Sequence, residues 1–146
     1  MNTPRALLAG TLTVGVLDLA DAVIFFGLRG VRPIRILQSI ASGWLGRAAF
    51  SGGWQTALLG VALHFFIAFA VVATCFFLSR HISVVRTRPV ASGLLYGVGV
   101  YLFMNLIVLP LSAAASGRPA WPVVVNGLMI HMLGVGLPAT LFARLR

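Results

Sequence analysis

The sequence predicts an all-helical, polytopic membrane protein: a four-helix transmembrane bundle with an interfacial amphipathic helix between spans 1 and 2. Three observations lead there. Of 146 residues, 60% are hydrophobic and 9% charged, against about 25% charged in an ordinary soluble domain, and the mean hydropathy is +1.02. Four windows reach the ~20 mostly apolar residues that a membrane helix needs. Arginine clusters or Gly/Pro-containing breaks separate those windows. The composition excludes disorder, which needs the opposite balance, and the length fits a single domain over residues 1–146.

The spans are expected at about residues 6–28, 56–78, 90–112 and 122–142. Arg5, an apolar run and Ala20-Asp21-Ala22 imitate a secretory signal with its cleavage site, but the run continues through Val23-Ile24-Phe25-Phe26, so a span is the better reading. Residues 33–50 are too interrupted to cross. Pro33 suits a first helical position. Ile34, Leu37, Ala41, Trp44, Leu45 and Ala48 then share a face, with Arg35, Gln38, Ser42 and Arg47 largely opposite. That is the pattern of a helix lying in a membrane interface. Gly43 and Gly46 keep open the alternative, a helix packed on the end of the bundle. Ser51-Gly52-Gly53 marks the turn into the second span.

The net charge of +9 comes from eleven arginines, with no Lys or Glu. Spread thinly between apolar runs, they make no nucleic-acid groove and read as span flanks facing anionic lipid. Four spans put both termini on one side (side A), and Trp44, Trp54 and Trp121 all fall on the other (side B), as an aromatic belt would place them. The positive-inside rule gives no orientation, with six arginines on side A against five on side B. Cys75, the single cysteine, allows no intrachain disulfide.

Chemistry is expected where polar residues lie inside the spans. The only acids, Asp18 and Asp21, are three apart in the first span and so neighbours on one face. A charge at the bilayer centre costs at least ~2.5–3.5 kcal/mol, and such residues usually face the bundle interior. At 1.5 Å rise per residue, Asp18 lies roughly 18 Å and Asp21 and Asn105 roughly 22 Å from side A, with His64 and His131 near 20 Å. Five polar groups from four helices thus share a layer, while Asn126 falls nearer side B and reads as interfacial. Small residues beside them (Gly60 and Ala68, Gly97, Gly127 and Gly134) would let backbones approach closely.

The spans also hint at a duplication. Gly60-x-x-x-His64 matches Gly127-x-x-x-His131, and Gly15-Val16-x4-Asp21 matches Gly99-Val100-x4-Asn105. Parallel repeats would set Asp21/His64 against Asn105/His131, with Asp18 breaking the symmetry.

Three uses of this layer stay open. Two carboxyls this close in low dielectric do not both ionise, so one holds a proton, which suits a relay in which His64 and His131 take part and Asn105 orients them. Asp18, Asp21, His64 and His131 could instead ligate a divalent metal such as zinc or iron. Less favoured is haem b, held between His64 and His131, or a quinone-linked redox role. A purely structural layer is the rival from another class: the chain would be an accessory or assembly subunit of a larger membrane complex, or a homo-oligomer, with polar groups registering its helices. No phosphate loop, H-E-x-x-H motif or nucleophile spacing occurs.

The stretch Arg35-Ile36-Leu37-Gln38-Ser39-Ile40-Ala41-Ser42-Gly43, with Ala48-Ala49-Phe50, Gly52-Gly53, Ala62-Leu63-His64-Phe65, Ile67-Ala68-Phe69, Met104-Asn105 and Leu109-Pro110-Leu111-Ser112, resembles small four-span bacterial inner-membrane proteins of no assigned activity. The resemblance covers the whole chain. It implies a multi-pass protein of the bacterial inner membrane and no mechanism.

Overall fold

The computed structural model describes residues 2–115 and 117–145. Helix α1 runs over Thr3–Gly27, α2 over Pro33–Leu45, α3 over Gly53–His81 and the short α4 over Ser83–Thr87. Two further long helices follow, α5 over Pro89–Leu111 and α6 over Trp121–Arg144. Helices α1, α3, α5 and α6 are each long and apolar enough to cross a membrane, and each overlaps one of the expected windows to within three residues at either end.

Helix starts follow local chemistry. The Asn2 side chain accepts a hydrogen bond from the Arg5 amide (3.2 Å), and proline lies in the first turn of α1, α2, α5 and α6, where its missing N–H costs nothing. At the far end of α1, Arg29 donates to the Phe25 carbonyl (2.8 Å) and stacks on the Phe25 ring. Gly30, at φ +83°, then turns the chain, in a backbone region that residues with a Cβ avoid.

Mostly small residues fill the interior: Ala6, Val14, Ala68, Val72, Cys75, Val135, Ala139 and Ala143 are buried, with Phe76 the one large side chain among them. Large apolar side chains point outward, with Leu8, Phe66, Leu95 and Leu106 each more than 60% exposed. Helix α6 packs on α5 and α1, and α1 on α3. The α5–α6 seam is backbone against backbone. A Cβ on Gly97 would overlap the His131 carbonyl, and one on Gly136 would overlap the Gly93 carbonyl. Thr140 closes the seam by donating to the Pro89 carbonyl (2.8 Å). Helices α3 and α5, although consecutive, hardly touch; the Tyr96 hydroxyl spans their gap to the Val71 carbonyl (2.7 Å).

Two wide turns interrupt the later helices. Over Met104–Val108 in α5 and His131–Gly136 in α6 the backbone opens to i→i−5 bonding, closed by Leu109 N–H to Met104 and Leu137 N–H to Met132. Pro110 and Pro138 follow directly. Each lacks an N–H and clashes with the carbonyl four residues back, and the wider turn relieves that crowding.

Helix α2 packs mainly on α3. Its buried residues are Ile36, Gln38, Ala41 and Ser42, while Trp44 is 72% exposed. Polar and apolar side chains share the inward side: the Gln38 amide donates to the Gly53 carbonyl (3.0 Å) and reaches the Thr56 hydroxyl (3.4 Å), while Arg35 and Arg47 are exposed. Gly60 lets the α2 backbone press on α3, since a Cβ there would overlap the Leu37 carbonyl. Of the two expectations for this segment, packing on the bundle is a contact the structure contains.

Candidate functional site

Four of the five polar residues of the expected layer make a hydrogen bond, three of them to a backbone carbonyl. His64 on α3 meets the Gly15 carbonyl of α1 through Nε2 (2.8 Å). Gly15 permits the approach, because any Cβ there would overlap the Phe65 ring. His131 on α6 binds the Gly127 carbonyl one turn back through Nδ1 (2.8 Å), with its ring edge-on to buried Tyr101 (5.5 Å). Asn105 donates through Nδ2 to the Tyr101 carbonyl (2.9 Å).

These bonds settle both tautomers. A carbonyl can only accept, so the ring nitrogen facing it carries the proton. In the neutral ring the other nitrogen is then a lone pair: Nδ1 in His64 and Nε2 in His131. His64 Nδ1 faces Asp18 Oδ2 at 4.0 Å.

Asp18, His64, Asn105 and His131 line one cavity of about 660 Å³, reached by side chains of all four long helices and of α2. The Asp18 side chain keeps 28% of its surface accessible and that of His64 12%, so both can be reached from the cavity. Arg35 of α2 also borders it, tied to the Phe50 carbonyl (3.0 Å).

Asp21 does not join them. It accepts a hydrogen bond from Asn126 Nδ2 of α6 (2.6 Å). The two acids therefore take separate partners, and the expected pairing of Asp21/His64 against Asn105/His131 is not the arrangement found. The histidines are not equivalent either: His64 ties two helices together, whereas His131 binds within its own. Asn126, which the sequence places nearer side B, completes a polar pair with Asp21. Its depth lies about one helical turn from that of Asp21.

Among the described residues no three His, Cys, Asp or Glu side chains gather to hold a metal ion. Asp18 with His64 makes two of the four ligands a structural zinc site needs, Asp21 is bonded elsewhere, and Cys75 is buried apart. For haem b the geometry is no more favourable, because the nitrogen His64 has free faces a carboxylate instead of an open apolar slot. Compared with known proteins, the chain matches no family model, and no curated protein or solved structure is similar to it.

Proposed function

We propose that the chain is a small integral membrane protein, of four spans with α2 at the interface, whose mid-membrane cavity holds and relays a proton on the Asp18–His64 pair. The observation that carries this reading is the tautomer of His64. With Nε2–H committed to the Gly15 carbonyl, Nδ1 presents a lone pair to the Asp18 carboxyl. One proton then serves two groups, as carboxylic acid plus imidazole or as carboxylate plus imidazolium, with no change in the net charge of the pair. The 4.0 Å gap exceeds hydrogen-bond length, and a single bridging water spans such a gap. Intramembrane Asp and His residues commonly form proton relays. The proposed location of the chain is the bacterial inner membrane.

Infrared spectroscopy of the purified protein tests the assignment. A carboxylic-acid C=O band should be present, vanish in Asp18→Asn, survive in Asp21→Asn, and change its pH dependence in His64→Leu. A band indifferent to Asp18→Asn overturns it.

The Asn126–Asp21 bond favours a second reading, in which the polar groups register helices and the chain serves as an accessory subunit of a larger membrane complex. Stoichiometric partners retained in mild detergent would support that reading, and a homogeneous lone species would count against it.

A further inference from the structure

A proton does not account for about 660 Å³ of space. The chemistry of the lining indicates what does. The carbonyls of Gly15, Gly127 and Tyr101 consume N–H groups of His64, His131 and Asn105. Those side chains have left His64 Nδ1, His131 Nε2 and Asn105 Oδ1, which with the Asp18 carboxylate are acceptors, against one remaining Nδ2–H of Asn105. Among the described residues no arginine lies within 4.0 Å of Asp18, and the guanidinium of Arg35 is engaged by the Phe50 carbonyl and the Gln38 side chain. The cavity thus offers lone pairs and, once the Asp18–His64 pair gives up its shared proton, a carboxylate with no arginine within 4.0 Å, Arg35 being the cation on its wall.

A route into it is also present. A second cavity, of about 670 Å³, occupies the gap between α3 and α5, and its walls are almost wholly apolar. Ile67, Val71, Val100, Met104 and Val108 border both spaces, so only side chains separate them. Gly99 lies on the outer wall, and a Cβ added there would meet nothing within 4 Å.

We infer that this acceptor-rich cavity binds a membrane-dissolved organic amine, which reaches it laterally between α3 and α5. Its N–H donors face Asp18, His64, Asn105 and His131, its positive charge offsets the Asp18 carboxylate, and its apolar body suits the cleft. This inference rests on the reading of the chain as membrane-spanning with this cavity as its site, and it names the class of ligand.

The test uses ethidium, an aromatic cation with two amino groups, and tetraphenylphosphonium, an apolar cation with no N–H. Ethidium fluorescence should rise saturably on titration with the full-length protein in detergent. Asp18→Asn should weaken binding by about tenfold or more, the worth of a charged hydrogen bond, and tetraphenylphosphonium should compete at least about tenfold more weakly for the same reason. If Asp18→Asn does not fold, Asn105→Leu, which removes one acceptor, should lower affinity several-fold. Gly99→Trp, which fills the outer cleft, should slow association while thermal stability stays at the wild-type level. Absent saturation, equal competition by tetraphenylphosphonium, or affinity indifferent to both acceptor variants overturns the amine assignment; unchanged association in Gly99→Trp overturns the lateral route. An Asp18 carboxyl band without ethidium binding sinks this inference alone, whereas ethidium binding without that band sinks the proton reading alone.

Discussion

Helix α5 has two neighbours among the long helices and treats them in opposite ways. Toward α6 it presents Gly93 and Gly97 to the backbone around His131 and Gly136, closing a seam with no room for a methyl group. Toward α3 it presents Leu95, Tyr96, Gly99 and Phe103 to a gap, held at the length of a tyrosine by the bond from the Tyr96 hydroxyl to the Val71 carbonyl. Glycine occurs on both faces. It is structural only where another backbone stands opposite, so a small residue does not by itself mark a helix contact. The difference positions the site: the seam fixes the backbone of His131, and the gap leaves only side chains between its own space and the cavity beside Asp18 and His64.

Substitutions on either side of α5 should separate the two faces. The largest effect is expected from Gly97→Leu, whose side chain cannot avoid the His131 carbonyl. It should cost about 3 kcal/mol, the upper end for overpacking, and appear as a lowered unfolding temperature in detergent or as aggregation on size exclusion. A wild-type melting curve would mean the seam is not closed as described. Next is Asn126→Leu, which leaves the Asp21 carboxyl without its donor and should cost about 1–2 kcal/mol in the same measurement. Tyr96→Phe removes the strut across the gap and should cost about 0.6 kcal/mol, the average of a hydrogen bond between membrane helices; a loss several times larger would show the gap to be a packed contact. The smallest effect belongs to Gly99→Leu, in open space, which should stay within about 0.5 kcal/mol of wild type.

The long helices were legible from hydropathy because an apolar run of some twenty residues has few other ways to satisfy its backbone. The depth of the polar residues was legible too, since helical rise is constant, and depth alone brought Asp18, His64, Asn105 and His131 to one level. Their partners were not. His64, His131 and Asn105 bind backbone carbonyls, which every residue possesses and no side-chain pattern announces. The Asn126–Asp21 pair was not legible, because one turn of depth separates the two residues. In α2 the helix was legible, but which residues turn inward depends on what lies next to it: polar Gln38 finds the Gly53 carbonyl and Thr56 on α3, and Trp44 is left outward.

Composition and period by themselves determined that this chain forms four long apolar helices, because that follows from local spacing along the chain. Only the tertiary structure decided that Asp18 faces His64 while Asp21 faces Asn126, that the histidines turn lone pairs away from their carbonyls, and that α5 closes on α6 but stands off from α3. Those outcomes depend on helix rotation and on which backbone comes opposite which glycine, and neither is written in the period of a single helix.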